Sequence, residues 1–362
     1  MNPDRIDTPA LLLDLEALDR NIQRMGNYFR GRKASLRPHV KVHKSPFIAH
    51  KQLRAGAKGI TCAKVSEAEV MAQSGIDDIL VANEIVGDDK LRRLARLARE
   101  CRILVTVDDI ENGRQLSLAA SQEEATIGVL VDTNLSSGLA GILDRCGVPA
   151  GPTAAKLCSQ ISELKNLEFK GLMGYEGGLR KFPEFAARKL AAQSALARLI
   201  ETKEMVEGNG LDVQIVSCGG TMSYNIAGEL PGITEVQAGS YVFMDATYQK
   251  FGLDFETALT VLATVISRPR PEKIIIDTGL KAISADSGLP LVKEKTELEC
   301  IGLNAEHGHI KAQSEIDVHT GQQLELIPTH VDTTVCLHDN YLMTRGDEAI
   351  GTLEIPGRGK LQ

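Results

Sequence analysis

Residues 36–46, Leu-Arg-Pro-His-Val-Lys-Val-His-Lys-Ser-Pro, set Lys41 between two histidines. On a β-strand alternate residues share a face, so His39, Lys41 and His43 would point one way and Val40 and Val42 the other. A lysine facing two imidazoles has an electrostatic reason to give up its proton, as a Schiff-base nucleophile must. A basic surface strand is the competing reading, because Arg37 and Lys44 flank the segment. Further on, Ser217-Cys218-Gly219-Gly220-Thr221 and Gln237-Ala238-Gly239-Ser240-Tyr241 are glycine–hydroxyl turns. Glycine lets backbone amides approach a dianion, and Thr221 and Ser240 can add hydroxyl donors. A third group, His330-Val331-Asp332, offers an imidazole and a carboxylate at i and i+2, on one face if the segment is a strand, so both could bind one cation. Glu306-His307 precedes this pair and His338-Asp339 follows it. Such a nitrogen and oxygen donor set suits Mn²⁺, Co²⁺ or Mg²⁺, whereas a thiolate in place of Asp332 would favour Zn²⁺.

The elements that must position these groups alternate between residues 18 and 248. Strands are expected at 35–41, 59–65, 78–83, 102–108, 126–132, 168–174, 213–218 and 234–238. Between them Leu18, Ile22, Met25 and Phe29 recur at helical spacing, as do Leu91, Leu94 and Leu97, and 182–207 reads as the longest helix. Eight strand–helix alternations predict a (β/α)₈, TIM-like barrel. An open doubly wound sheet would want a Gly-x-Gly-x-x-Gly turn after its first strand, and none is present. After residue 255 short β-rich runs take over: Leu259–Ser267, Lys273–Asp277, Glu297–Leu303, Leu324–Ile327, Thr333–Leu337 and Leu342–Arg345. The expected organisation is therefore a barrel over 18–248 and a mostly-β domain over 249–362, joined by the N-terminal segment 1–17 with its strand Ala10–Asp14. In a barrel, reactive residues gather at the C-terminal strand ends. Lys41 would end the first strand, Tyr175 the sixth, and the glycine turns the seventh and eighth. A phosphorylated aldehyde held by two such turns and linked to a lysine opposite them is pyridoxal phosphate.

Composition narrows the partners. Hydrophobic content of 43% with 25% charged residues suits a soluble globular chain of 362 residues. With 41 basic against 48 acidic residues the formal charge is −7, which argues against nucleic acid or an anionic membrane as partner. The chain has no run of about 18 apolar residues and no signal-peptide core at Met-Asn-Pro-Asp-Arg. Its seven cysteines form no Cys-x-x-Cys pair and are expected to be reduced core thiols. These features predict a cytoplasmic protein.

Taken together, these segments resemble the D-threonine aldolase / D-serine dehydratase family, fold-type III pyridoxal-phosphate enzymes with an alanine-racemase-like barrel. The resemblance runs nearly end to end, from Thr8-Pro9-Ala10-Leu11-Leu12-Leu13-Asp14-Leu15 through Pro38-His39-Val40-Lys41-Val42-His43-Lys44 and Lys64-Val65-Ser66-Glu67-Ala68. It continues in Gly219-Gly220-Thr221, Glu235 to Asp245, Asp277-Thr278-Gly279-Leu280-Lys281, Glu306-His307-Gly308 and Pro328-Thr329-His330-Val331-Asp332. It implies that Lys41 carries the cofactor, that the glycine turns hold its phosphate, and that Tyr175 lies near its ring. It also implies a homodimer, and a divalent metal on His330 and Asp332. Aldolases of the group show His-x-Asp there and dehydratases usually His-x-Cys, so Asp332 favours retro-aldol cleavage of a D-β-hydroxy-α-amino acid to glycine and an aldehyde. His43, or hydroxide on the metal, is the expected base.

Two departures stand out. The family arginine after strand five, in a Gly-x-x-Arg-Cys-Gly-like turn, has no counterpart in Asp132-Thr133-Asn134-Leu135-Ser136-Ser137-Gly138, and the run Tyr175 to Lys181 lacks the histidine expected shortly after the tyrosine, leaving Arg180 or Lys181 as its candidate substitutes. D-serine dehydratase-like β-elimination to a keto acid and ammonia is the main alternative. A racemase would want a second, tyrosine base, but past Tyr248 only Tyr341 remains and it lacks the motif. A non-catalytic pyridoxal-phosphate carrier would end with the barrel.

Overall fold

The computed structural model describes residues 6–136, 140–313, 316–346 and 348–362. Strand β1 (Ala10–Asp14) leads into the helix Leu15–Phe29, whose first turn is capped by the Asp14 carboxylate taking the amides of Glu16 and Ala17 at 2.9 and 3.0 Å. Leu18, Ile22, Met25 and Phe29 form its buried face, as the spacing predicts.

The chain divides into two compact units, one of residues 25–41, 46–239 and 360–362, the other of residues 1–24, 42–45 and 240–359. The first is the barrel. Its strands are β2 (Ser35–Leu36), β3 (Ile60–Cys62), β4 (Asp78–Glu84), β5 (Arg102–Val107), β6 (Ile127–Asn134), β7 (Val148–Pro149), β8 (Leu167–Gly174), β9 (Ile215–Cys218) and β10 (Glu235–Val236). They pair in parallel in the order β2-β10-β9-β8-β6-β5-β4-β3, with β7 added to β6. The two ends meet where His39 bridges Thr61 and where Lys58 and Thr61 donate to the carbonyls of Leu36 and Pro38, both at 2.9 Å. All eight expected strands are present, and the longest helix is Phe185–Gly208. β4, β5 and β6 are near-continuous apolar runs because barrel strands are buried on both faces. Leu80, Leu104, Leu130, Met173 and Ile215 pack into one cluster drawn from five strands. Gly171 is needed where β8 meets β9: its φ is +145°, and a Cβ there would sit 1.9 Å from the Ile215 carbonyl oxygen.

The other unit is antiparallel. Its strands are β11 (Leu259–Arg270), β12 (Lys273–Ile276), β13 (Leu291–Val292), β14 (Leu298–Leu303), β15 (Gly308–Ala312), β16 (Gln323–Ile327), β17 (Asn340–Arg345) and β18 (Glu348–Glu354). β11, β12, β15, β14, β13 and β16 close a ring, because β12 pairs with β11 as well as with β15. β1 joins this sheet, antiparallel to β11 and parallel to β17.

One expected strand is a helix. Thr333–Leu337 reads as β because of its β-branched residues, yet Val331–Val335 is helical. The Thr334 and Thr333 hydroxyls bond back to the His330 carbonyl at 2.9 and 3.3 Å, and Val331, Thr334 and Val335 are buried at i, i+3 and i+4. The cysteines are all free as expected, but Cys146 is exposed and so is not a core thiol. Among the described residues no helix is long and apolar enough to cross a membrane.

Candidate active site

Lys41 is not on a strand. β2 stops at Leu36, and Lys41 sits on the 3-10 turn Val40–Val42, so the expected shared face of His39, Lys41 and His43 does not form. Pro38, which lacks an N–H, interrupts the ladder, and the His39 amide bonds to the Ala238 carbonyl at 3.3 Å. Val40 and Val42 are fully buried and anchor the turn, leaving Lys41 exposed between them. His43 is fully buried. Its Nδ1 accepts the Ser45 amide at 3.1 Å, which places the neutral ring's proton on Nε2. The ring meets Phe243 edge-on, and the His43 carbonyl accepts the Tyr341 hydroxyl at 2.6 Å.

The seventh-strand turn follows β9. Gly219 has φ +81°, and a Cβ there would lie 2.9 Å from Val236. A Cβ at Gly220 would touch the Tyr175 ring at 3.5 Å, so the absent side chain leaves that ring edge open. Thr221 is buried. The Gly219 amide donates to Glu176 Oε2 at 3.3 Å and the Gly220 amide to Ser223 Oγ at 3.1 Å, so both glycine amides are held within the protein. The eighth-strand turn is tied to the seventh by Gln237 Nε2, which donates to Ser217 Oγ at 2.9 Å. Gly239 is buried. Ser240 and Tyr241 open the 3-10 turn Ser240–Val242; the Ser240 carbonyl accepts the Met244 amide at 2.8 Å, and the buried Tyr241 ring packs against Phe255.

Tyr175 follows β8 and is about two-fifths exposed, with the Arg145 guanidinium 5.2 Å from its ring centre. This overturns one apparent departure from the family pattern. The arginine sought at 132–138 stands in Arg145-Cys146-Gly147, later in the same loop. Asn134 and Ser136 bond Asp144, and Asn134 also bonds the Arg145 carbonyl at 2.5 Å, which brings the cation back to the barrel rim. The Arg-Cys-Gly string itself was the signal, displaced by a longer loop. Ser137 and Gly138 lie outside the described residues. Arg180 and Lys181 are exposed on the 3-10 turn Leu179–Lys181. Beside Arg145, ligand atoms of Glu84, Asp132 and Cys146 lie within 4.8 Å of one another. Burial first, and the charge of Glu84 second, push the Asp132 carboxyl well above its ordinary range, and burial pushes the Cys146 thiol up to about 12. The thiol donates to Asp132 Oδ2 at 3.4 Å.

In the β unit, His330 caps the helix Val331–Val335 with extended backbone, and Asp332 lies in its first turn. The pair is therefore a helix-start arrangement, not i and i+2 on a strand. Asp286, which the sequence suggests only as a β-domain turn or subunit-contact residue, binds His330 Nδ1 through Oδ2 at 2.7 Å while its Oδ1 takes the Ser284 hydroxyl at 2.9 Å and the Thr333 hydroxyl at 3.3 Å. Burial alone would raise the Asp286 carboxyl; the bonds from His330 and Ser284 outweigh it and hold it below its ordinary value. His330 Nε2 has no protein partner among the described residues. The other acid–histidine pairs are engaged elsewhere: Glu306 pairs with Lys281 at 2.5 Å, and His338 Nε2 bonds the Ala282 carbonyl at 2.7 Å.

An exposed lysine, two glycine turns and an aromatic ring backed by arginine, all at the C-terminal ends of parallel strands, fit a phosphorylated aldehyde. The family model described as "Alanine racemase, N-terminal domain" matches residues 13–247, and "Putative serine dehydratase domain" matches 258–344. The chain is 37% identical to a D-threonine aldolase of Arthrobacter sp over 360 residues, 98% of this chain and 93% of that one. It is 35% identical to a 3-hydroxy-D-aspartate aldolase of Paracoccus denitrificans (strain Pd 1222), covering 99% and 94% of the two chains. The crystal structure of D-threonine aldolase from Filomicrobium marinum superposes with a TM-score of 0.95 at 36% identity, over 99% of this chain and 98% of that one. The chain belongs to the D-threonine aldolase / D-serine dehydratase family. It is an enzyme of the pyridoxal-phosphate-dependent, alanine-racemase-like class.

Proposed function

We propose that this enzyme is a divalent-metal-dependent lyase that splits D-configured β-hydroxy-α-amino acids into glycine and an aldehyde. The observation that carries this reading is the donor set on His330 and Asp332. His330 keeps Nε2 uncommitted while Asp286 holds Nδ1, and the residue two positions on offers a carboxylate instead of a thiolate. When bound, pyridoxal phosphate supplies the sink for charge at Cα, and the divalent ion, Mn²⁺ or alternatively Mg²⁺, Co²⁺ or Zn²⁺, supplies the Lewis acidity that acidifies the β-hydroxyl. Lys41 is the residue that anchors the aldehyde carbon and carries a proton on and off its amine. Thr221 and the turn at Gly239, Ser240 and Tyr241 hold the phosphate, with Gly219 and Gly220 leaving room for it. Tyr175, backed by Arg145, flanks the ring. His43, buried and bonded on Nδ1, fits the part of a residue that holds its turn better than that of a base exchanging protons with substrate.

The matching aldolases support this chemistry. The match of 258–344 to a serine dehydratase domain keeps β-elimination as the second reading. Incubation with D-threonine and D-serine decides between them. Glycine with acetaldehyde is expected, abolished by EDTA and restored by Mn²⁺; keto acid with ammonia and no glycine would reject the aldolase reading. The proposal includes a barrel over 18–248, a metal-bearing β-domain over 249–362 with 1–17, and a cytoplasmic homodimer. The seven free cysteines support a reducing compartment. Sedimentation at micromolar concentration tests the dimer.

A further inference from the structure

Glu176 is a fully buried carboxyl that no step of the proposed reaction uses. Its side chain makes two bonds: Oε1 takes the Ser223 hydroxyl proton and Oε2 the Gly219 amide at 3.3 Å. No cation pairs with it among the described residues, so nothing charged offsets its desolvation, and burial pushes its ionisation upward. Its charge also helps to raise the buried Cys218 thiol, one residue before the glycine turn. A group this expensive, placed beneath a turn at the catalytic end of a barrel, needs a reason.

The hydrogen bonds supply one. Ser223 has a single hydroxyl proton. With that proton committed to Glu176, a lone pair of Ser223 Oγ accepts the Gly220 amide at 3.1 Å. The relay runs from Gly220 N–H through Ser223 to Glu176, and a second bond runs directly from Gly219 N–H. Both amides are thus turned inward, which fixes the path of the backbone through the turn. We propose that Glu176 is a positioning residue for cofactor phosphate: it fixes the Gly219–Ser223 turn in its phosphate-accepting shape before the cofactor arrives.

The proposal rests on the pyridoxal-phosphate reading and is tested apart from it. Equilibrium dialysis of the apo-protein would measure affinity for pyridoxal phosphate and for unphosphorylated pyridoxal. For Glu176→Ala the first is expected to weaken about tenfold or more while the second stays within about twofold. Ser223→Ala, which breaks only the relay, should repeat the discrimination and covers the case in which Glu176→Ala fails to fold. Glu176→Gln keeps one acceptor oxygen, for Ser223, but sets an amide N–H₂ against the Gly219 N–H, and should restore only part of the lost affinity. Equal weakening toward both aldehydes, or no weakening, in the folded variants would overturn the role of Glu176. A wild-type protein that binds neither aldehyde would instead overturn the cofactor reading.

Discussion

Two of the glutamates that the barrel buries completely, Glu235 and Glu176, are held in opposite ways. Glu235 opens β10 and is clasped by the buried Arg37 through Nε at 2.8 Å and Nη2 at 2.9 Å, with Lys58 at 3.2 Å. Arg37 also reaches Asp78, the first residue of β4, which in turn binds Arg102 at the start of β5. Desolvation would lower the ionisation of Arg37, yet the hydrogen bonds and charge of Glu235 outweigh it and keep the guanidinium firmly charged. Glu176, past the other end of β8, has only a hydroxyl and an amide. At the N-terminal strand ends charge is met by charge, which ties strands together. At the C-terminal ends a carboxyl is left with neutral donors, which shapes a turn. The same side chain serves stability at one end of the barrel and ligand geometry at the other.

Removing the cation is the strongest way to break this contrast. Arg37→Ala leaves Glu235 and Asp78 without their shared partner, and loss of one member of a buried pair costs about 3–5 kcal/mol. Urea unfolding should show that loss, with cofactor affinity of the remaining folded protein unchanged. Replacing both partners, Arg37→Met with Glu235→Leu, should recover most of it, since apolar residues of similar volume can stand in for a buried pair. A single variant as stable as wild type would mean that the network does not brace the barrel.

A third carboxylate sharpens the comparison. Asp286 is nearly half exposed, and its partner is an imidazole. Such a carboxylate orients a metal-binding ring, and losing it typically costs 10–100-fold in metal affinity. Asp286→Ala should therefore weaken Mn²⁺ binding by roughly tenfold or more in calorimetric titration. Pyridoxal phosphate binding and unfolding should scarcely change. Unaltered Mn²⁺ affinity would assign Asp286 to the local turn alone.

These three carboxylates also mark what the sequence could show. The barrel was legible because burial on both faces imposes apolar runs at regular intervals, and the residues on its strand ends followed from that count. Tyr175 and the glycine turns follow their strands as that count places them, whereas Lys41 falls on a 3-10 turn beyond the end of β2. The helix start at His330 was not, since Thr333, Thr334 and Val335 are β-formers that turn helical through hydroxyl bonds to one carbonyl. Arg145 escaped because a loop brings it back from seven residues beyond the expected window, 132–138. Glu176 and Asp286 look like ordinary turn residues in one dimension. Only their burial and bonding partners set them apart.

The smallest expected effect concerns pH. Burial raises Glu176 above its unfolded value of 4.5, so between that value and its folded one the native state holds more protons than the unfolded chain. Stability then falls as pH rises through the window, the reverse of a salt-bridged carboxylate. Glu176→Gln removes this titration. Asp132, also raised, is present in both proteins and cancels in their difference. Urea midpoints between pH 5 and pH 8 should show the wild type losing ground to the variant as pH increases. Parallel curves would mean that Glu176 titrates alike folded and unfolded, and the contrast with Glu235 would then rest on geometry alone.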